Sequence, residues 1–456
     1  MIDILPDDVL LEIFHFYKGK PTSIILSRWW ITLIHVCRRW RQTIYGSPRR
    51  LDLRLLCSGK TPVRRLLEIW PPFPISLFSY IDQTMNEECL ENVIAALKHH
   101  DRISIIIIYD DIGGSALDKS IAAMLEPFPV LTHCGLSSSK NAVSMPMLSD
   151  TFLGGSAPHL ESFQLRRIPF PTFPSFILSS TQICHIALDD IPHSGYISPD
   201  VMATCLAALP NLTQLLIGFQ SPLSRPVEIA PPPLTRAVFP ALTSLDFRGV
   251  SEYCEDFLGR IEGPHLFSCS MMFFMDLVFD IPQLHNFINR TLPERVNRTS
   301  MEFTGLGIRI IFGVFQLVIK CERLDWQLSS MTQILSQQLP FLSHVDHFEI
   351  CEPVYSNSRI RWEDDPDMDP LQWLELLRLL IAVQSLYVSE RLVHRVAAAL
   401  KELTGEMAVE VLPALRSLSL EGLEPSGPVQ DAIKSFITAR QLTNHPVEVK
   451  PWEPPT

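Results

Sequence analysis

Apolar residues recur along the chain in the spacing apolar-x-x-apolar-x-apolar. The unit is found at Ile103/Ile106/Ile108, Leu131/Cys134/Leu136, Leu160/Phe163/Leu165, Ile183/Ile186/Leu188 and Leu212/Leu215/Ile217. It returns at Leu242/Leu245/Phe247, Leu266/Cys269/Met271, Cys321/Leu324/Trp326, Val345/Phe348/Ile350, Val383/Leu386/Val388 and Leu415/Leu418/Leu420. Its last two members alternate with other residues, the period-2 pattern of a strand with one covered face. From 103 the first members advance in steps of 28, 29, 23, 29, 30 and 24 residues. A proline stands two residues ahead of six units, at Pro129, Pro158, Pro210, Pro240, Pro264 and Pro413, which predicts a shared turn before each strand. Helix signals lie between the strands. Thr84 with Glu87 forms a capping box, while Ser198-Pro199 and Asp369-Pro370 each place a capping side chain before proline at the first helical position.

The first fifty residues follow a different period. Val9, Leu10, Ile13, Phe14 and Tyr17 form one stripe of a helix whose start is marked by Pro6, Asp7 and Asp8. A second helical stretch runs from Trp30 through Leu33, Val36, Cys37 and Trp40 to Ile44, and Gly46, Ser47 and Pro48 end it.

Steps of about 20–29 residues are those of leucine-rich repeats, in which each strand–turn–helix unit buries its face on the next. The expected fold is therefore α/β: an N-terminal helical region followed by a degenerate leucine-rich-repeat-like solenoid of parallel strands. The units are degenerate because Ile168, Val250 and Leu423 occupy the position where such repeats carry asparagine. The expected division is 1–50 helical, 51–100 a helical linker or cap, 101–425 the solenoid, and 426–456 a C-terminal helix with a flexible tail. Register is lost across 272–320 and stretched across 350–383. Arg225–Pro233 reads as a proline-rich loop and Glu363–Asp369 as an acidic one.

Residues between the apolar members are expected on the concave face, where solenoids bind partners. That places Arg166, Asp246, Arg248, Asp325, Glu349 and Glu421 there as candidate substrate-binding residues, with Ser162, Gln164, Ser244, Arg323, Gln327, His347, Ser417 and Ser419 beside them. The mixture of signs suits a protein or peptide ligand, although a solvated face without a partner accounts equally well for any single residue.

Composition narrows the function classes. At 456 residues and 46% apolar the chain has ample material for a core. Lys and Arg total 38 against 50 Asp and Glu, a formal charge of -12, so neither nucleic acid nor an anionic membrane is an expected partner. The opening MIDILPDDVLLEIF lacks the basic region of a signal peptide, and the apolar run Gly305–Ile319 is short and interrupted by Arg309. Ten scattered cysteines without a C-x-x-C suit a reducing compartment, cytoplasm or nucleus. Phosphate-loop, nucleophile-elbow, dinucleotide and H-E-x-x-H motifs are missing, so neither catalysis nor a cofactor is expected. His344, His347 and Cys351 are the best metal candidate, yet the strand pattern places His347 on an exposed face and makes a surface pair the better reading.

Leu5-Pro6-x-x-Val9-Leu10-x-x-Ile13-Phe14 followed by Val36-Cys37-Arg38-Arg39-Trp40 resembles the F-box, over about 45 residues. VCRRWRQTIYGSPRRLDLRL (36–55), TPVRRLLEIWPPFPISL (61–77), the segment 189–222 and PALTSLDFRGVSEYCEDFL (240–258) look like the large F-box families of mushroom-forming fungi. Gly19–Ser27 departs from the pattern, lacking the usual acidic-leucine turn. The resemblance implies a non-catalytic, substrate-recognition subunit that docks on a Skp-type adaptor of a cullin ubiquitin ligase while its repeats hold a protein substrate. It carries the adaptor contacts onto Leu5, Pro6, Val9, Leu10, Ile13, Phe14, Val36, Cys37 and Trp40. A hairpin this short has little core of its own and must bury its surplus face, either on a partner or on the repeats of the same chain.

Overall fold

The computed structural model describes residues 5–16, 29–47, 53–81, 87–113, 115–140, 147–170, 175–224, 233–274, 282–291, 298–304, 307–313, 315–320, 324–336, 344–352, 370–405, 407–422 and 426–451. Tyr17, Thr84, most of the Arg225–Pro233 loop, the acidic Glu363–Asp369 loop and the Gly19–Ser27 departure lie outside them. The chain forms two compact units, Met1–Ile197 with Ala208–Leu216, and Ser198–Ala207 with Ile217–Thr456.

The first unit opens with three helices, α1 (Asp7–Phe16), α2 (Trp29–Ile34) and α3 (Arg38–Tyr45). Strands and helices then alternate: β1 (Leu53–Cys57), α4 (Val63–Ile69), β2 (Ile75–Ile81), α5 (Glu87–Leu97), β3 (Ile103–Asp110), α6 (Ser115–Ala122), β4 (His133–Ser137), β5 (Ser162–Arg166), α7 (Ser175–Leu178) and β6 (His185–Ile191). All six strands pair in parallel with their chain neighbours. The apolar members meet across the sheet in register, Ile106 with Cys134, Cys134 with Phe163, and Phe163 with Ile186, and all are buried.

The second unit holds α8 (Pro199–Ala207), β7 (Gln214–Phe219, at the division), β8 (Ala237–Val238), β9 (Ser244–Gly249), α9 (Ser251–Arg260), β10 (Ile261–Glu262), β11 (Ser268–Phe273) and α10 (Pro282–Thr291). It continues with β12 (Arg298–Thr304), β13 (Gly307–Phe312), β14 (Phe315–Lys320), α11 (Leu324–Ser336), β15 (His347–Cys351), α12 (Pro370–Arg378) and β16 (Ser385–Val388). It ends with α13 (Glu390–Lys401), α14 (Met407–Glu410), β17 (Ser417–Leu420), α15 (Pro428–Leu442) and β18 (Glu448–Pro451). Its strands lie in the order β9-β11-β14-β13-β12-β15-β16-β17-β18, and β8 pairs separately with β10.

Two backbone devices explain the spacing found in the sequence. In each of the six proline units the first apolar member donates its N–H to the carbonyl three residues back: Leu131 to Phe128, Leu160 to Ala157, Leu212 to Leu209, Leu242 to Phe239, Leu266 to Gly263 and Leu415 to Leu412, at 3.0–3.3 Å. Proline occupies the second position of that turn, where its fixed φ fits. The strand then begins two residues after the first member. At that bend one carbonyl accepts two N–H groups from the following unit: Thr132 from Glu161 and Ser162, Glu161 from Cys184 and His185, Cys184 from Thr213 and Gln214. Thr243, Asp346 and Gln384 do the same in the second unit, with all these bonds between 2.8 and 3.1 Å.

Four expectations are corrected. The segment 51–100, expected to be a helical linker, contains β1 and β2; Leu53, Leu55 and Cys57 alternate into the core and add two strands ahead of the first recognised unit. The triplet Cys321/Leu324/Trp326 is not a strand, because α11 begins at Leu324 and buries Leu328, Met331 and Leu335 at helical spacing. Three antiparallel-paired strands, β12 to β14, fill the sheet between β11 and β15 instead, which is why register was lost across 272–320. The C-terminal tail is ordered as far as β18, whose Val449 pairs with Leu418. The second helical stretch is two helices, broken at Cys37, whose extended backbone and thiol sulfur cap α3 by accepting the Trp40 N–H at 3.4 Å.

Arg440 of α15 holds the last repeat closed. It is buried and donates to the carbonyls of Ala408, Leu412 and Leu415 at 3.0–3.4 Å and to that of His445 at 3.2 Å. Arg440→Met retains the apolar stem and removes the guanidinium donors from those carbonyls, leaving that of Leu412 only the Leu415 N–H. The expected loss is about 2–3 kcal/mol, read as a lower denaturant midpoint and faster amide exchange across 403–416.

Candidate functional site

The α1–α3 region divides its apolar residues between two directions. Leu10 and Phe14, one turn apart on α1, are each 1% exposed, and the Phe14 ring meets Trp40 of α3 at 4.7 Å between centroids. Leu33, Ile34 and Ile44 are buried as well. Arg39 of α3 ties the start of α1, pairing with Asp7 at 2.8 Å and donating to the Leu5 carbonyl. Val9, Ile13 and Val36 stay 39%, 42% and 57% exposed, and Pro6 is exposed beside them in sequence. Leu5, Cys37 and Trp40 are half-buried. Of the nine residues singled out from the sequence, Leu10 and Phe14 thus lie in the interior of the helical region with the half-buried Trp40 against Phe14, while Pro6, Val9, Ile13 and Val36 are each exposed.

The polar candidates between strand members are dispersed. In the first unit, Arg166 at the end of β5 pairs with Asp189 at 3.1 Å and Asp190 at 3.4 Å. In the second, Asp246 and Arg248 lie on β9, five strands from Glu349 on β15, or about 24 Å at usual strand spacing. Burial raises the Asp246 carboxyl above its ordinary range, and a hydrogen bond with Ser270 partly offsets this. Asp325 falls on α11 and is not a strand-face residue, and the same helix takes Gln327 into the core. Glu349 accepts from Arg298 Nε at 2.9 Å. Glu421 accepts the Tyr387 hydroxyl at 2.8 Å, which together with burial pushes the Tyr387 pKa up.

Four carboxylates, those of Glu302, Glu349, Glu352 and Glu421, gather around Cys351. Burial and these charges push its thiol up to about 12, so it is no nucleophile at neutral pH. Arg309 pairs with Glu302 at 2.9 Å and Arg391 with Glu352 at 3.0 Å, so much of the charge is neutralised locally. His347 is exposed on β15, and among the described residues no group of three His, Cys, Asp or Glu side chains is placed to hold a metal ion.

The sequence reading, which sought polar residues between strand members, missed a row on the first unit. Leu56, Phe78, Ile107, Gly135, Gln164 and Ala187 are successive register partners from β1 to β6 that alternate with buried members; Gln164 is exposed and the other five are half-buried. Tyr80 and Tyr109, also register partners, stand beside that row at 54% and 39% exposure. The signal was present in ISIIIIYD, where apolar residues occupy both faces of one strand.

No protein-family model matches the chain, and no curated protein matches it. Among solved structures the chain is similar to the leucine-rich-repeat-containing protein LegL7 from Legionella pneumophila, at 14% identity over 84% of this chain and 97% of that one, with a TM-score of 0.27. So low a score leaves the description of the fold on this chain's own strand register. No helix among the described residues is long and apolar enough to cross a membrane.

Phe14→Ala is expected to cost the helical region about 3–5 kcal/mol and to loosen α1 in amide exchange, because Trp40 loses its packing partner. Ile13→Asp, one residue away on the outward surface, is expected to change stability by less than about 0.5 kcal/mol in the same measurement.

Proposed function

We propose that the chain is a non-catalytic recruiting subunit. Its α1–α3 region docks on a Skp-type adaptor of a cullin ubiquitin ligase, and its leucine-rich-repeat-like strands hold a protein substrate. The observation that supports this most directly is the divided helical region: Leu10, Phe14 and Trp40 supply its interior, while Val9, Ile13 and Val36 remain outside without serving it. Each such side chain gains about 1.5–3 kcal/mol on full burial, so a few of them offset the cost of association. The F-box-like order of these residues selects the adaptor as their partner.

The mechanism is proximity. A substrate held by the repeats keeps its lysines near the conjugating enzyme that the ligase carries, so transfer proceeds at high effective concentration. The repeats supply a backbone of parallel strands whose open faces are free to differ in chemistry from unit to unit.

The second reading is a scaffold that binds the adaptor or another partner without ubiquitin transfer. The self-neutralised Glu302/Arg309 and Glu349/Arg298 pairs favour neither reading, and substrate half-life after deletion of the chain separates them. Val9→Asp combined with Ile13→Asp is expected to weaken binding of purified Skp-type adaptor at least 100-fold by calorimetry while the unfolding transition stays in place. Unchanged adaptor affinity would refute the docking assignment.

A further inference from the structure

Three consecutive residues of α3 hold three different parts of the helical region. Arg39 reaches back to the start of α1, where its Nη2 and Nε lie 2.8 and 3.2 Å from one Asp7 carboxylate oxygen. The same Nη2 donates to the Leu5 carbonyl. Trp40 packs on Phe14, two turns further along α1. Arg41 donates its Nε–H at 3.0 Å to the carbonyl of Ile34, the last residue of α2. The turn that follows carries Val36. Its backbone bonds, from His35 to the Thr32 carbonyl and from Val36 to that of Leu33, reach only into α2.

Placement of α1 depends on both of its tethers. The helix has ten residues, a length of about 15 Å. Each residue turns the side-chain direction by about 100°, so exposed Val9 lies one step from buried Leu10, and Ile13 one step from Phe14. A modest roll of α1 on α3 would therefore exchange the two sets. Apolar packing at Phe14 is non-directional and resists such a roll poorly. The Arg39 contacts are directional and act seven residues earlier, at the other end of the helix. As a source of stability the ion pair is minor, because the Asp7 side chain is 61% and the Arg39 side chain 35% exposed. Its consequence is where α1 lies.

We infer that Arg39 and Arg41 are positioning residues for adaptor docking: Arg39 sets the direction of Val9 and Ile13, and Arg41 sets that of Val36. The inference rests on the docking reading above and names the groups that prepare the chain for it. The exposed apolar side chains come from two segments, α1 and the α2–α3 turn, and one partner gains from all of them only when both segments are held still. A segment that must be ordered on binding subtracts that cost from the affinity. Both arginines project from α3, which thereby serves as the common frame. The guanidinium matters at position 39, where a lysine would keep a charge for Asp7 without the planar fork that also serves the Leu5 carbonyl.

The test measures the affinity of the full chain for purified Skp-type adaptor by calorimetry. Arg39→Met keeps the apolar stem and is expected to weaken binding about tenfold, with faster amide exchange at Asp8, Val9 and Leu10 and the unfolding transition in place. Asp7→Asn should weaken binding severalfold, and the two together no more than Arg39→Met alone, because both remove the same tether. Arg39→Lys should fall between parent and Arg39→Met. Arg41→Met acts on the other segment, so its loss should add to that of Arg39→Met. Asp7→Asn, at an exposed carboxylate, carries the same test should Arg39→Met lower the unfolding transition. An Arg39 that touches the adaptor itself would leave Asp7→Asn as tight as the parent, or make the double variant weaker than either single one; each result overturns the positioning role. Parental affinity in Arg39→Met or Arg41→Met overturns it too. Val9→Asp with Ile13→Asp, measured alongside, separates the two levels. If that variant binds as the parent does, the docking reading falls and the inference with it; if it loses binding while the arginine variants do not, the inference alone falls.

Discussion

A single backbone carbonyl shared by two N–H groups of the next unit sets the register on which the rest of this protein depends. Parallel strands are joined by crossovers, not tight hairpins, so no local turn fixes how one strand meets its neighbour. Here Thr132, Glu161 and Cys184 in one unit, and Thr243, Asp346 and Gln384 in the other, each receive adjacent donors where the chain bends into a strand. A slip of one residue would break both bonds and turn Phe163, Ile186 or Leu418 from the core to the open face. At Thr132, Glu161 and Thr243 a proline turn delivers the chain to that bend, and the pairing of buried members follows.

Because the covered face is so strongly specified, the open face is free to vary. The first unit uses that freedom for an apolar row edged by tyrosines, and the second for carboxylates balanced by arginines. The second unit also tolerates β12 to β14, whose reversed order keeps β11 beside a strand running its own way and gives β15 another. Around them buried polar side chains tie the helices: Glu255 accepts the Gln283 and Leu284 N–H groups at the start of α10, and Arg260 bridges Asp256 and Asp200.

Ten of the eleven apolar triplets in the sequence became strands or their approach turns, six of them behind a proline turn, because a period-2 apolar pattern leaves a strand one face to bury. The exception, at Leu324, satisfied the triplet by coincidence, and the longer helical spacing through Leu335 prevailed. β1, β2 and β18 were missed because Asp52, Pro74 and Pro446 stand where the triplet has its first apolar member. For the helical region, the sequence listed nine apolar contacts as equivalent. Helical spacing could not separate Leu10 from Val9, or Phe14 from Ile13, until α3 took its place against one side of the stripe.

Sequence alone determined which residues are covered along the repeats, where the proline-led repeats bend, and that helices with apolar material to spare lie ahead of the first strand. These are local matters of period, proline and capping. Only tertiary structure decided which of that spare material faces outward, which carboxylates gather around Cys351, and that Leu56, Phe78 and Ile107 form one row. Those side chains come from different strands, and register in space, which no single segment encodes, brings them together.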